Sequence, residues 1–325
     1  MGTRIAATGS YLPGRCVTNA DLAGVVETSD EWIVKRTGIR TRFLLAPGED
    51  PSRMGIEAGK RALARANVAP EGVDLLLVAT NFPDMICPGS SPFLAAGLGL
   101  LATPFFDLTA GCSGFVFGLA VSDGLIRSGL FRRVLLVGTE ALSRVTDWSD
   151  RRTCVLFGDG AGAVLLEPAP PGEGILGSSL HGDPDKISLL YLPAGGTRAP
   201  ASRETVERGE HYLKMEGAGV FRSAVPMMER STREALAFAG LALSDVDWLI
   251  PHQANLRIIE SLTRRLKLDP ERVIVNLDRV ANTSTASIPI ALDEALRSGR
   301  IVPGDLVVLT AFGAGATYGA VVVRM

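Results

Sequence analysis

The sequence predicts an α/β protein built from two similar halves packed in layers. Three observations lead there. Short apolar runs alternate with helix-like segments. A helix–turn–strand unit recurs at a nearly constant spacing. The residues suited to chemistry lie where apolar runs give way to small or polar residues.

The repeat is read directly from the residues. Residues 62–76 are ALARANVAPEGVDLL and residues 235–249 are ALAFAGLALSDVDWL. Ala62, Leu63, Ala64, Ala66, Ala69, Val73, Asp74 and Leu76 return 173 positions later, as Ala235 through Leu249. The same offset carries Val134–Leu136 onto Val307–Leu309, and Arg-Ser-Gly closes a helix at 127–129 and again at 297–299. Each unit reads as helix, glycine stop, turn and buried strand. The halves are assigned to 1–170 and 171–325, with equivalent loops meeting at a pseudo-symmetric junction. Segment 181–211, rich in Gly, Pro and charge, reads as a surface excursion between them.

Composition narrows the function. The 325 residues are 46% hydrophobic and 21% charged, a globular balance, and the net charge of −2 gives no general attraction for nucleic acid. Cys16, Cys87, Cys112 and Cys154 form no C-x-x-C pair, and His181, His211 and His252 have no metal-ligand spacing, so no metal is expected. No apolar run reaches 18 residues and no signal-like start is seen, so the expectation is a cytoplasmic protein with free thiols and no membrane segment.

Four segments carry chemistry. In Asp107-Leu-Thr-Ala-Gly-Cys112-Ser-Gly, a strand-like Pro104–Leu108 runs into small residues and then a helical pattern. A thiol there is accessible, and the positive helix end favours its thiolate. Cys16, Cys87 and Cys154 read as ordinary buried small hydrophobes. In Leu249-Ile-Pro-His252-Gln-Ala-Asn255 a strand delivers a histidine at its end. In Ala281-Asn282-Thr-Ser-Thr-Ala-Ser287 an asparagine precedes a helix, and the repeat sets this loop opposite Cys112. Taken alone, Asn282 reads as a helix cap. The turn Ala311-Phe-Gly-Ala-Gly-Ala-Thr-Tyr-Gly319 lacks the phosphate-loop pattern and reads as a backbone donor.

Together with Thr28-Ser-Asp-Glu-Trp32-Ile-Val-Lys-Arg36 and Phe157-Gly-Asp-Gly-Ala-Gly162, these segments resemble the thiolase superfamily. The resemblance is closest to the β-ketoacyl-acyl-carrier-protein synthase III family, and it runs from Thr3 to Met325. It implies a thiolase-like αβαβα layering, a homodimer, and decarboxylative condensation of an acyl-CoA with malonyl-acyl-carrier protein. It also implies Cys112 as acyl acceptor, His252 and Asn282 as paired donors to an enolate, and backbone N–H groups at Cys112 and Ala314 as the oxyanion hole. No metal or redox cofactor enters, with coenzyme A present only in the substrate thioester. The pantetheine and nucleotide arm maps to Thr28, Trp32, Arg36, Arg151, Phe157, Met215, Gly217, Phe221, Ala254 and Asn255. Trp32 and Arg151 are suited to sandwiching adenine, and Arg36 to phosphate. Carrier docking maps to Arg222, Gln253, Arg257, Arg264 and Arg265, and Cys87 to the acyl-pocket wall.

The chain departs from the family pattern at Cys87, often bulky there, and at Ala281 and Ala314, where glycine is usual. Residues 311–319 lack the second cysteine of a degradative thiolase, and the Asn282 motif lacks the second histidine of an elongating synthase. A relative that builds polyketide starters, or that moves acyl groups onto oxygen or nitrogen, stays open. A scaffold that has lost catalysis fits poorly with three retained reactive side chains.

Overall fold

The duplication is visible in two sheets of the computed structural model, which describes residues 2–325. The first holds β1 (Gly2–Tyr11), β2 (Leu75–Ala79), β3 (Phe105–Leu108), β4 (Val134–Ala141) and β5 (Asp159–Ala169), in the order β3-β2-β4-β5-β1. The second holds β6 (Gly174–Gly182), β7 (Trp248–Pro251), β8 (Leu306–Phe312) and β9 (Thr317–Arg324), in the order β7-β8-β9-β6. Four strands correspond one to one. In each half a parallel pair is followed by two antiparallel neighbours. Among the described residues, the second sheet has no strand at the place of β3.

Five layers result. Helices α2 (Gly114–Arg127) and α5 (Ser287–Arg297) touch both sheets and fill the middle, while α1 (Ser52–Ala66) covers the first sheet. The outer face of the second sheet is covered by α3 (Gly217–Phe238), and α4 (Leu256–Leu266) packs beside it. The strand sequences explain this. Every residue of β2 is buried: Leu75, Leu77 and Ala79 join the central core, and Leu76 and Val78 the core under α1. In β8, Val307, Leu309 and Ala311 point inward, while Leu306 and Val308 pack on the α3 side. Apolar residues at every position are what a strand covered on both faces requires.

The sheet boundary falls in the turn 170–173. Segment 181–211, expected between the halves, instead interrupts the second half between β6 and α3. Its hairpin residue Leu190 packs against the second-half core and lines a cavity. Its Gly, Pro and charged residues suit the turns; the packing face is a single short strand that composition hides. Strand β3 lies at a sheet edge, with Phe105 43% and Phe106 42% exposed. No helix among the described residues is long and apolar enough to cross a membrane.

Candidate active site

The nucleophile is placed by two backbones in contact. Between β3 and α2 the chain turns through Gly111, at φ +56°, and a Cβ there would lie 2.4 Å from the Ala314 nitrogen. A Cβ on Gly313 would lie 2.3 Å from the Cys112 nitrogen. Only glycine on both sides lets the Cys112 turn of one half press against the β8–β9 turn of the other. The backbone N–H groups of Cys112 and Ala314 are thereby brought close together, and both favour the ionised form of the Cys112 thiol.

Cys112 lies one residue before the cap of α2, as the sequence predicts, but the expected thiolate is not favoured at rest. Burial pushes the thiol up to about 11; the Ser284 hydroxyl, 3.4 Å from Sγ, opposes this, and the buried Glu140 adds to it. A helix end supplies about 0.3–1 kcal/mol, less than the ~1.4 kcal/mol that one pH unit represents. Desolvation wins.

His252 follows β7, and its N–H donates to Thr310 O at 2.8 Å, fixing the backbone to β8. Its Nδ1 lies 2.7 Å from Ser287 Oγ, the first residue of α5. Burial pushes the imidazole down to about 4, so it is neutral at pH 7. Ser287 Oγ also accepts the Gln253 N–H at 3.4 Å; with the Ser287 proton donated to Nδ1, the imidazole hydrogen lies on Nε2. Asn282 is held on both sides: its N–H donates to Leu156 O, and its C=O accepts from Gly158 N. Ser284 N donates to Asn282 Oδ1 at 2.9 Å, which leaves the Nδ2 hydrogens free. Asn282 therefore does not cap α5.

Several polar residues at the site were not singled out by sequence, Glu140 and Ser287 among them. Glu140, at the end of the fully buried β4, accepts from Asn81 and lies 3.1 Å from Ser284 Oγ and 3.3 Å from Thr285 Oγ1. Burial pushes its carboxyl up to about 7 against those hydrogen bonds. The available signal was one acidic residue inside Val-Leu-Leu-Val-Gly-Thr-Glu-Ala. Ser287 was quoted in its motif without a role.

Cys112, His252 and Asn282 share one cavity of about 450 Å³, within the usual range for small-molecule sites. Phe157, Met215, Gly217, Phe221, Ala254 and Asn255 line it, and Phe221 and Arg257 mark the exposed end. Asn255 also caps α4 and donates from Nδ2 to Arg36 O at 3.1 Å. That bond ties the rim to a second group, in which the Arg36 and Arg151 guanidiniums stand 4.2 and 5.3 Å from the Trp32 ring centroid. Beside them Thr28 Oγ1 is buried without a hydrogen-bond partner among the described residues.

Several expectations need correction. Gln253 is not on a docking surface: it is fully buried, donates to Pro251 O and Ile274 O, and accepts from Asn276 N. A side chain with that many internal partners holds β7 to the following loop. Arg222, Arg257, Arg264 and Arg265 are exposed, but Arg265 pairs with Glu229, and Arg222 lies 3.8 Å from Glu216. Cys16 and Cys87 are exposed, and only Cys154 among the three is a buried small residue. Cys87 precedes the turn Pro88-Gly89 and does not line the cavity of its own chain.

Comparison with known proteins bears on this arrangement. Residues 106–184 match the family model described as 3-oxoacyl-[acyl-carrier-protein] synthase III, and residues 236–325 match that of its C-terminal part. A Caldanaerobacter subterraneus protein named β-ketoacyl-[acyl-carrier-protein] synthase III is 50% identical, over 98% of this chain and 97% of its own. The solved synthase III of Thermus thermophilus is 44% identical with a TM-score of 0.92, over 99% of both chains. The priming β-ketosynthase of a polyketide biosynthetic pathway is 36% identical with a TM-score of 0.91, over 99% of this chain and 96% of that one.

The Asn282 loop carries a testable strain. Ala281 adopts φ +63°, ψ −165°, a region that suits glycine and costs other residues about 1–3 kcal/mol. Ala281→Gly relieves this, against about 0.4–1 kcal/mol of added unfolded-chain entropy. The expected result is a melting temperature raised by a few degrees; an unchanged or lowered value by scanning calorimetry contradicts the strain.

Proposed function

The chain belongs to the 3-oxoacyl-[acyl-carrier-protein] synthase III family, and from that premise we propose how its buried side chains divide the work. The protein is a condensing acyltransferase that joins an acyl-CoA starter to malonyl-acyl-carrier protein, the initiating step of fatty acid biosynthesis. The observation that carries the division of roles is the shared cavity wall, where a thiol, a neutral imidazole and a fixed carboxamide converge.

In the first half-reaction Cys112 attacks the thioester carbonyl, the N–H groups of Cys112 and Ala314 donate hydrogen bonds to the oxygen on which charge develops, and coenzyme A leaves. In the second, the malonyl thioester loses CO₂ and its enolate oxygen takes hydrogen bonds from His252 Nε2 and Asn282 Nδ2. A neutral His252 suits that task, because it donates without having to be protonated first. The enolate carbon attacks the acyl-Cys112 carbonyl and releases the β-ketoacyl product. Loss of CO₂ supplies the driving force, so the proposed route needs no metal or redox cofactor.

The nucleotide end of coenzyme A is assigned to the Trp32, Arg36 and Arg151 group, with the unpartnered Thr28 hydroxyl beside it. Carrier docking is assigned to Arg257 and Arg264, with Arg222 at the cavity rim, because α4 projects these cations beside the opening. A fatty acid starter is favoured over a polyketide starter by the higher identity to synthase III proteins. Profiling acyl-CoAs with malonyl-acyl-carrier protein, with mass detection of the β-ketoacyl product, tests the activity; no product from any starter contradicts it.

The partition of roles has its own test. Cys112→Ala abolishes acylation while leaving malonyl decarboxylation measurable. His252→Ala and Asn282→Ala each retain Cys112 acylation and lose condensation by about 10²–10³. Intact-mass and product assays read both steps, and near-normal condensation in the latter two variants rejects the paired donors.

The assembly is proposed to be a homodimer. The unpaired edge of β3, its exposed Phe105 and Phe106, and the nearby exposed Met85 and Ile86 are features that a second copy would cover. Cys87 is then placed to reach a partner's acyl pocket. Sedimentation at micromolar concentration is expected to show a dimer, and Cys87→Phe to shift preference towards shorter acyl-CoAs. A fully active monomer contradicts the dimer, and an unchanged chain-length profile removes Cys87 from the pocket.

A further inference from the structure

The thiol of Cys112 has to lose its proton to attack, yet its surroundings favour the protonated form. Among the described residues His252, neutral and bonded through Nδ1 to Ser287, makes no hydrogen bond to that sulfur. The one side chain among the described residues in hydrogen-bond contact with Sγ is Ser284, which sits at the start of a connected path. Ser284 Oγ is 3.4 Å from Cys112 Sγ and 3.1 Å from Glu140 Oε1, and Asn81 Nδ2 donates to it at 3.2 Å. A hydroxyl has one hydrogen and two lone pairs. With Asn81 donating to Oγ and the hydroxyl donating to the Glu140 carboxylate, one lone pair is left for the thiol hydrogen.

We propose that Ser284 and Glu140 form a proton relay that takes the proton of Cys112 during acylation and returns it during condensation. This rests on the reading of Cys112 as acyl acceptor. In acylation the thiol proton moves to Ser284 Oγ as the Ser284 proton moves to Glu140 Oε1. The sulfur then bonds the acyl carbon, the bond from that carbon to the coenzyme A sulfur breaks, and the departing thiolate takes a proton from solvent. In condensation the new carbon–carbon bond forms, the Cys112–acyl bond breaks, and the thiolate recovers its proton along the reverse path. Over one turnover the Cys112 proton is conserved, and the single proton consumed ends on coenzyme A.

The surroundings of Glu140 fit a carboxyl that takes and gives a proton near neutrality. Thr80 and Asn81 face it from the end of β2, Ser284 and Thr285 face it from the Asn282 loop, and Cys112 lies beyond Ser284. None of these side chains carries a charge at rest. No cation among them holds the carboxylate ionised, and burial brings it up to about 7. A carboxyl needed only to brace the loop gains nothing from that cost, since a neutral amide offers the same oxygen acceptor.

Glu140→Gln removes the proton acceptor and keeps the shape. Ser284→Ala interrupts the path and keeps Glu140; the backbone N–H that holds Asn282 is retained. The measurement is single-turnover acylation of Cys112 by acetyl-CoA, followed by intact mass from pH 5.5 to 9.5, with melting temperatures alongside. In the wild type the rate is expected to rise through about pH 7 and then level off. In either variant it is expected to fall about 10²-fold at pH 7.5, in line with the loss of general-base assistance, and to climb with pH without levelling. The relay is overturned if either variant keeps the wild-type inflection, or if both are slowed by a constant factor at every pH, the mark of a bracing role. A wild type that neither acetyl-CoA nor longer acyl-CoAs acylate instead rejects the acyl-transfer reading itself.

Discussion

Burial of the reactive side chains at the junction between the two halves is the constraint on which the site depends. The Cys112 turn and the Gly313 turn meet with no room for a Cβ on either glycine, and the central helices α2 and α5 begin there between two sheets. Desolvation at that point acts on three titratable groups in the direction expected of each. It pushes the Cys112 thiol and the Glu140 carboxyl up and the His252 imidazole down, so all three lean towards their neutral forms. A site of this kind carries little fixed charge and many oriented dipoles, which suits chemistry in which negative charge appears on oxygen twice in a cycle.

The same constraint orders the polar contacts. Each reactive group is held by a partner from a different element: Asn282 by the Leu156–Gly158 backbone and Ser284, and His252 by β8 and Ser287. With His252 Nδ1 and Asn282 Oδ1 occupied, the donors Nε2–H and Nδ2–H are what these residues have left to offer. The strained Ala281 backbone and Ser284, at φ +50°, show the loop bent to make this possible. The positive φ of Ser284 accompanies its close approach to both Sγ and Glu140.

Much of this was legible in the sequence because the repeat is local in pattern. The 173-residue offset foretold strands β2 and β7 as equivalents, and it set the Asn282 loop opposite Cys112. Those are the strand-to-loop transitions at which the reactive residues stand. What could not be read was how residues distant in the chain share one burial environment. Residues 81, 140, 284 and 285 gather around one carboxyl only because β2, β4 and the Asn282 loop end at the same place. The thiol's state was misjudged for the same reason: a helix end is visible in sequence, whereas desolvation depends on everything packed around it. Gln253, placed at the docking surface only by the family resemblance, is instead held inside by three partners from residues 251, 274 and 276, which no local pattern reveals.

The central claim is that desolvation keeps His252 neutral with its hydrogen on Nε2, and nitrogen NMR of protein labelled at histidine tests it most directly. With three histidines in the chain, His252→Ala assigns the signal. An imidazole pushed down to about 4 stays unprotonated across pH 5–8. The expected spectrum therefore shows one unchanging neutral tautomer, protonated at Nε2, through that range. A His252 signal that titrates near 6.5, or that reports the Nδ1–H tautomer, contradicts the account.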